Sequence, residues 1–328
     1  MADQQRIPLP VVAGPTASGK TGLAIYLAKE MNGEVVSADS MQIYRDLSIG
    51  TARPAEEEMQ GIPHHVMGFL PLDASYSVAR YIQDAGRSIA AIWKRNKLPI
   101  LCGGTGLYIQ ALAENLQFLP EEDAGGVIRR QLQEQAEREG TAPLLRELAS
   151  LDPETAERLH PNDSGRIIRA LELVKTTGIT MSEQYRRSRS QPTPYDACLL
   201  VLDVRDRAYL YNRINLRVED MFADGLLEEA RKALELAPNG TALQAIGYKE
   251  LSPYFQGDLS LPEAKEILKR QTRRYAKRQL TWFHRMAGAH FLYIDDYENQ
   301  EALYRAALHA FQTHYNMNGQ ETGEREHG

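Results

Sequence analysis

The 328-residue chain is 43% hydrophobic and 25% charged, a composition that excludes a wholly disordered or membrane-embedded protein, and its length allows about two domains. Its net charge of −6, from 38 Lys and Arg against 44 Asp and Glu, argues against a uniformly basic nucleic-acid-binding protein but allows one local basic patch. Cys102 and Cys198 are too few for a disulfide framework or a structural zinc cluster. Neither a run of ~18 apolar residues nor a signal peptide occurs. We therefore expect a cytoplasmic protein without a membrane segment.

The first hundred residues alternate between predicted strands and helices. A short apolar run predicts a strand over 9–13, and helical spacing predicts a helix over 19–31. A strand over 34–38, a helix over 78–97 and a strand over 99–102 come next. This alternation is typical of a parallel sheet with helices on both faces.

The pattern changes after residue 119, where helical stretches succeed one another without a convincing strand. The predicted helices span 127–139, 143–151, 153–160 and 167–176. A polar, proline-containing linker over 188–194 separates these helices from the next predicted strand.

Strand character returns at 198–204. Helices then dominate 207–285, and a last strand over 290–294 and a helix over 301–315 close the pattern. We therefore predict an α/β fold: a parallel-sheet core like that of the P-loop NTPases with a helical insertion domain. The core would span 1–119 and 196–316, the insertion 120–195, and residues 317–328 would form a disordered tail.

The segment after the first strand matches the phosphate-loop pattern G-x-x-x-x-G-K-[ST] at every specified position. It consists of Gly14, Pro15, Thr16, Ala17, Ser18, Gly19, Lys20 and Thr21. Its backbone N–H groups and the following helix N-terminus can face an anion, Lys20 adds a full charge, and the Thr21 hydroxyl can bind Mg²⁺. The strand–loop–helix context favours a polyphosphate site over a glycine-rich turn without chemical role.

Asp39 lies just after the second predicted strand, at the sheet edge where open α/β folds gather their active residues. Its carboxylate can bind Mg²⁺, act as a general base, or cap the next turn. Gln42 can offer a donor and an acceptor to the edge of a nucleobase.

Two further segments give weaker signals. The glycines of Gly103-Gly104-Thr105-Gly106 indicate a tight turn or close approach by a ligand, and Thr105 adds a hydroxyl. His64 and His65 suggest a metal site, but adjacent side chains point apart and no ligand cluster is near in sequence, so a structural role is favoured.

A strongly basic stretch lies near the end of the chain. Its cations form three pairs at intervals of four residues: Lys269, Arg270, Arg273, Arg274, Lys277 and Arg278. Four residues advance a helix by ~400°, so all six share one broad face. Like charges at this spacing repel each other unless a polyanion neutralises them. The pattern therefore favours nucleic-acid binding over a solvated face, and we expect Trp282, Phe283 and His284 to pack.

The insertion and its linker are also rich in arginine. These residues are Arg129, Arg130, Arg166, Arg169, Arg186, Arg187 and Arg189. Each alone is typical of a solvated surface. Together with the basic helix they suggest cationic surfaces on both domains.

Taken in chain order, these segments resemble the tRNA dimethylallyltransferases, also called tRNA isopentenyltransferases. The resemblance covers most of the chain, and an ordered set of motifs is far more specific than a phosphate loop alone. The matching segments are 14–21, 39–44 (Asp-Ser-Met-Gln-Ile-Tyr), 49–54 (Ile-Gly-Thr-Ala-Arg-Pro), 63–65 (Pro-His-His), 103–105 (Gly-Gly-Thr), 160–163 (His-Pro-Asn-Asp), 166–169 (Arg-Ile-Ile-Arg), 246–249 (Ile-Gly-Tyr-Lys) and 274–282 (Arg-Tyr-Ala-Lys-Arg-Gln-Leu-Thr-Trp).

The resemblance implies a P-loop core with a helical insertion. It also implies transfer of a dimethylallyl group from dimethylallyl diphosphate to N6 of the adenosine 3′ of the anticodon, with Mg²⁺ as cofactor and the anticodon stem-loop of tRNA as partner. The phosphate loop would hold the diphosphate and Asp39 would be the base. Thr105 and Arg217 (or Arg213, one turn away) would assist catalysis.

The resemblance also assigns contacts with tRNA. They fall on Asp39, Ser40, Met41, Gln42, Thr105, Arg129, Gly165, Arg166, Ile167, Ile168, Arg169, Gln244, Gly247, Tyr248 and Lys249, to which the basic helix adds Arg273, Arg274, Lys277 and Arg278. Ser164-Gly165 departs from the family pattern, in which members often carry polar or basic residues at this place. The lack of a C-terminal Cys/His zinc module indicates the bacterial type.

Three alternatives fit parts of the pattern. A P-loop small-molecule kinase would use the same loop for ATP but would leave the basic helix unexplained. A prenyltransferase acting on free adenine nucleotide would need no extended tRNA surface, and a nucleotide-gated RNA-binding protein would perform no transfer. The absence of heptads or a self-complementary stripe predicts a monomer.

Overall fold

The computed structural model describes residues 6–118, 126–189, 191–238 and 240–316. The chain forms two compact units, one from Met1–Ala113 with Thr193–Gly328 and the other from Glu114–Pro192. The second unit begins and ends a few residues before the predicted insertion of 120–195. The predicted boundary at 119–120 and the predicted tail over 317–328 lie outside the described residues.

The first unit is built on a parallel sheet of six described strands. They are β1 (Ile7–Ala13), β2 (Gly33–Ser37), β3 (His64–His65), β4 (Leu98–Gly103), β5 (Tyr195–Asp203) and β6 (His290–Tyr293). Their order is β3-β2-β4-β1-β5-β6, and every pairing is parallel. The predicted α/β parallel-sheet core is thus confirmed. Only the two-residue β3 was not predicted.

Helices of both units account for most of the remaining described chain. They are α1 (Lys20–Glu30), α2 (Glu56–Met59), α3 (Val78–Lys94), α4 (Gly106–Ala113), α5 (Val127–Glu139), α6 (Ala142–Leu151), α7 (Pro153–Arg158), α8 (Ser164–Thr177), α9 (Met181–Ser188), α10 (Arg207–Ala223), α11 (Leu226–Leu236), α12 (Ser252–Phe255), α13 (Leu261–Phe283) and α14 (Gln300–His314). Short 3₁₀ turns occur at Thr241–Gln244 and Ile294–Asp296. The helical stretches predicted from periodicity are confirmed, while α2, α4 and α9 were not predicted.

The central strands are apolar because helices cover both faces of the sheet. Leu9, Val11 and Ala13 of β1 pack with residues of α3 and α4. Val12, whose side chain points to the opposite face, packs with residues of α1 and α14. A third apolar cluster joins α11, α13 and the segment after Asp39. Packing on both faces of the sheet holds the ends of the strands, and therefore the loops that follow them, in fixed positions.

The helical unit has a separate apolar core of Leu132, Leu144, Leu148, Ile167 and Leu171. Asp152, itself buried, caps α7 by accepting a hydrogen bond from the Thr155 N–H at 3.2 Å, and it also accepts one from the Ser182 N–H at 3.0 Å. Such a cap satisfies donors that a helix N-terminus leaves unpaired. Across both units, none of the described helices has the length and apolar character needed to cross a bilayer.

Candidate active site

A cleft of about 1320 Å³ opens in the first unit where β1 and β2 end. The loops after these two strands line it, together with segment 48–54, α10 and α13. In a parallel sheet all carboxyl ends meet at one edge, so residues far apart in sequence share one space there. The phosphate loop and Asp39, predicted from separate motifs, therefore lie in the same cleft.

Within the phosphate loop, Gly19 has a φ of +92° and comes directly before Lys20, the first residue of α1. This left-handed conformation suits glycine and turns the loop into the helix N-terminus. The Lys20 ammonium donates to the Pro15 carbonyl at 3.3 Å. Ser18 is buried, and its hydroxyl has no hydrogen-bond partner among the described residues. The loop thus combines a cation, a helix N-terminus and an unpaired hydroxyl, as an anion site requires.

Two arginines of α10 extend this positive region. Arg213 donates from Nε to the Ala17 carbonyl at 2.8 Å. Arg217 lines the cleft and forms no ion pair with any carboxylate in the described chain. The pKa values of Arg217 and Lys20 both lie below their ordinary values because burial disfavours the charged forms. The negative charge of Asp39 offsets part of this effect at both side chains. A partly desolvated, unpaired guanidinium beside the phosphate loop favours an anionic ligand.

Asp39 lies among these cations with one oxygen occupied. Its Oδ1 accepts hydrogen bonds from the N–H groups of Met41 at 2.9 Å and Gln42 at 3.4 Å. One oxygen of Asp39 therefore caps the turn that follows it, which was one of the three roles that the sequence allowed. Oδ2 accepts no hydrogen bond from the residues that the structure describes, so it remains available to take a proton from a bound ligand.

Gln42 lines the cleft, but its side chain is committed within the protein. Its Nε2 donates to the carbonyls of Thr51 at 3.2 Å and Ala52 at 3.1 Å, and its Oε1 accepts from the Ser37 hydroxyl at 3.4 Å. Both amide protons are used. Gln42 would have to give up one of these bonds to donate to a nucleobase, whereas Oε1 keeps a second lone pair with which to accept from one.

Thr105 joins the turn after β4 to the Asp39 turn. Its hydroxyl accepts a hydrogen bond from the Ser40 N–H at 3.0 Å, and its own N–H donates to the Ala38 carbonyl at 3.1 Å. A Cβ on Gly103 would collide with the Ala38 backbone, and one on Gly104 with Gln279. Of the two alternatives for these glycines, the structure favours the tight turn, because protein atoms fill the space beside Gly103 and Gly104.

Gln279, which the sequence did not single out, connects two of these loops. It is buried, accepts a hydrogen bond from the Thr16 N–H at 3.0 Å and donates to the Gly104 carbonyl at 2.9 Å. The available signal was a glutamine on the helix face opposite the cations. Gln279 fixes the phosphate loop relative to the turn that holds Thr105.

Two family models match the chain: "IPP transferase" over residues 42–286 and "Isopentenyl transferase" over residues 7–67. A tRNA dimethylallyltransferase from Thermoanaerobacter sp. is 45% identical over 300 residues, covering 90% of this chain and 95% of its own. The chain belongs to the tRNA dimethylallyltransferase family.

Other relatives agree with this assignment. A tRNA dimethylallyltransferase from Geobacter sulfurreducens is 48% identical over 84% of this chain and 88% of its own. Among solved structures, a tRNA isopentenylpyrophosphate transferase from Bacillus halodurans superposes with a TM-score of 0.69 at 37% identity, over 95% of this chain and 99% of that chain. A eukaryotic dimethylallyltransferase acting on tRNA superposes at 0.80 with 30% identity, over 95% and 80%. The kinase alternative is not favoured by any of them.

The predicted basic helix is α13. Some of its cations pair with side chains of the described residues and others do not. Lys269 pairs with Glu219 and with Glu266, both at 2.8 Å. Arg273 donates to the Asn215 side chain at 2.6 Å. Two glutamates of the protein, and not only a polyanion, therefore neutralise the charge of Lys269. The exposed cations of this helix that form no ion pair within the described chain are Arg270, Arg274, Lys277 and Arg278.

The segment 244–249 divides between cleft and core. Gln244, Gly247 and Lys249 line the cleft. Tyr248 is fully buried, and its hydroxyl donates to Glu229 at 2.8 Å. The prediction that the Tyr248 side chain contacts tRNA is therefore wrong, because the ring has no surface to offer.

The helical unit shows the same division along α8. Ile167 and Ile168 are buried in its apolar core, so the prediction of tRNA contacts by these side chains is wrong. Arg166 is exposed and lies 3.5 Å from Asp163, and Arg129 and Arg169 lie 3.3 and 2.8 Å from Glu172. The structure leaves open space around the α-carbon of Gly165.

The adjacent histidines form part of the sheet. As β3 they pair with β2, where His65 Nε2 lies 2.6 Å from the buried Glu34 and His64 Nδ1 lies 2.8 Å from the Ile62 carbonyl. The described residues contain no cluster of three or more His, Cys, Asp or Glu side chains suited to a metal. Strand pairing and these hydrogen bonds agree with the favoured structural role of the pair.

Proposed function

We propose that the chain transfers a dimethylallyl group from dimethylallyl diphosphate to N6 of the adenosine 3′ of the tRNA anticodon and releases diphosphate. The observation that carries this proposal is the position of Asp39, which has a free carboxylate oxygen in the same cleft as Lys20 and the unpaired Arg217. A general base next to an anion-binding site suits a reaction in which the nucleophile loses a proton while diphosphate leaves.

The cations act on the leaving group. As the bond between the allylic carbon and the bridging oxygen breaks, negative charge grows on the diphosphate. Lys20, Arg217 and the backbone N–H groups of the phosphate loop are already in place where that charge develops, and partial burial strengthens their effect. Stabilisation of this kind by one donor typically changes kcat by ~10²–10³.

The residues present also fit Mg²⁺. This ion keeps several waters and takes few protein ligands in addition to substrate phosphates, so a carboxylate cluster is not required. Thr21 comes directly after Lys20 in the first turn of α1 and lines the cleft. Its hydroxyl is the side chain that would hold the ion, which when bound would neutralise charge on the phosphates.

Asp39 acts on the nucleophile. The N6 lone pair of adenine is delocalised into the ring, so N6 attacks the allylic carbon well only if a proton leaves as the C–N bond forms. The free Oδ2 of Asp39 accepts that proton, and general-base catalysis of this kind contributes ~10²–10⁴ in rate. The proton moves to Asp39 while the C–O electron pair leaves with diphosphate.

The tRNA must bring its base out of the anticodon-loop stack to reach the cleft. Unstacking costs a few kcal/mol. Phosphate contacts by the exposed cations of α13, with Arg129, Arg166 and Arg169 of the helical unit as further candidates, would offset this cost. We further propose that the chain acts as a monomer in the cytoplasm, where its substrate tRNA resides.

Incubation with labelled dimethylallyl diphosphate and tRNA, AMP or neither tests the proposal, with ATP hydrolysis as a parallel assay. Label on tRNA alone supports it. Label on AMP alone, or ATP turnover without label transfer, refutes it. Asp39→Asn should abolish turnover while tRNA affinity stays within a few-fold, and Asp46→Asn, which removes an exposed carboxylate outside the cleft, should retain full activity. Full turnover in Asp39→Asn would show that another group is the base.

A further inference from the structure

A carboxylate outside the predicted site holds one segment of the cleft wall. Glu229, on α11, accepts hydrogen bonds from three consecutive backbone N–H groups of segment 48–54, which lines the cleft. These donors are Ser48, Ile49 and Gly50, at 2.7, 2.9 and 2.8 Å. The hydroxyls of Ser48 at 3.0 Å and Tyr248 at 2.8 Å also donate to it. Five hydrogen bonds thus converge on one side chain, which we call the Glu229 clamp.

The clamp depends on negative charge. Consecutive N–H groups that point at one place form a cradle for an anion. Burial alone would raise the pKa of Glu229, but the three backbone N–H groups and the Tyr248 hydroxyl outweigh it and hold the pKa below the ordinary value. Glu229 therefore stays ionised at neutral pH. Gly50 belongs to the same arrangement, since a Cβ there would overlap the Tyr248 ring.

The clamped segment in turn supports the Asp39 turn. The carbonyls of Thr51 and Ala52, directly after the clamped N–H groups, accept both amide protons of Gln42. The backbone N–H of Gln42 donates to Asp39 Oδ1 at 3.4 Å. A continuous chain of hydrogen bonds therefore runs from Glu229 through segment 48–54 and Gln42 to Asp39.

We propose that Glu229 is a positioning residue for the transfer reaction, fixing segment 48–54 so that Gln42 and Asp39 keep their positions in the cleft. The proposal rests on the proposed function, which makes Asp39 the base. In the described chain, no hydrogen bond joins the phosphate loop to segment 48–54. Loss of the clamp should therefore impair the chemical step while the binding of dimethylallyl diphosphate is retained.

The test compares Glu229→Gln with Glu228→Gln in steady-state assays at saturating tRNA. Both variants lose one carboxylate from α11, but Glu228 is exposed and makes no side-chain hydrogen bond or ion pair with a described residue. In Glu229→Gln an amide NH₂ faces backbone N–H donors, so the segment must shift. We expect kcat to fall roughly 10–100-fold, as displacements of about 1 Å in an active site do, with the KM for dimethylallyl diphosphate within about threefold of the wild-type value. Glu228→Gln should match the wild type in both.

Thermal unfolding checks that each variant is folded. If Glu229→Gln does not fold, Ser48→Ala and Tyr248→Phe each remove one donor and keep the carboxylate, and each should lower kcat less, again with KM preserved. A folded Glu229→Gln with unchanged kcat, or with a raised KM and intact kcat, refutes the proposal alone. A wild-type chain that transfers no label refutes the proposed function and this inference with it.

Discussion

The surroundings of the α13 cations predict which of them set the salt dependence of tRNA binding. A lysine that meets a phosphate releases counterions, and each such contact contributes ~0.7–0.9 to the slope of log affinity against log salt concentration. Lys277 is exposed without an ion-pair partner in the described chain, whereas the side chain of Lys269 is only 15% exposed and pairs with two glutamates. The two lysines therefore form a matched pair on one helix.

We expect Lys277→Gln to reduce the slope by about 0.8 and the double variant Arg274→Gln/Lys277→Gln to reduce it by about 1.6. Between 50 and 200 mM salt, the ratio of double-variant to wild-type Kd should then shrink roughly tenfold. Lys269→Gln should leave the slope unchanged, because its charge is already neutralised within the protein. Filter binding or fluorescence anisotropy with an anticodon stem-loop across this salt range measures all three. Equal slopes for Lys269→Gln and Lys277→Gln would refute the assignment of this face to RNA.

Three further outcomes are expected from contacts in the core. Arg217→Gln should lower kcat/KM for dimethylallyl diphosphate by ~10²–10³ with tRNA affinity unchanged; an unaltered value would remove Arg217 from the diphosphate site. Gln279→Leu leaves the buried Gly104 carbonyl without its hydrogen bond, at about 1–3 kcal/mol, whereas the half-buried Thr16 N–H can turn to water. Urea unfolding should therefore show a loss of about 1–3 kcal/mol, and no loss would mean that water also replaces the amide at Gly104. The buried Glu34 accepts from His65, Arg95 and Lys97, and although burial alone would raise the pKa of Glu34, these partners lower it. The contribution of Glu34 to the free energy of unfolding is therefore present above its pKa in the unfolded chain, 4.5, and is lost as pH falls through its lower pKa in the folded protein. The difference in stability between wild type and Glu34→Gln should be about 2 kcal/mol at pH 7 and should disappear at acid pH. A difference that does not depend on pH would contradict this.

The sequence predicted best those elements whose pattern is local. The strands β1 and β4 are short apolar runs, and α3 and α13 show helical spacing over several turns, so both kinds of element are visible within a short window. The helix α4 was missed because it is apolar on nearly every side, which removes the contrast that periodicity needs. The strand β3 was missed because two histidines acquire strand character only by pairing with β2.

The candidate site shows the same division between local and distant signals. Lys20 and Asp39 stand in loops with recognisable patterns. Gln279 and Glu229 act on backbone atoms 263 and 180 residues away in sequence, so no local pattern can indicate them. The errors at Tyr248 and Ile167 have another cause: a matching motif includes residues that face inward as well as residues that face a ligand, and only burial separates them.

The order of the strands has a consequence for how the chain folds during synthesis. Both neighbours of β1 come late, since Ala13 pairs with Gly103 on one side and Val201 on the other. A nascent chain that has not yet extended past residue 203 therefore leaves β1 as an open, apolar sheet edge, the kind of surface that invites intermolecular pairing. Truncated products should aggregate, and the whole chain should fold slowly, because its central pairings close loops of about a hundred residues or more.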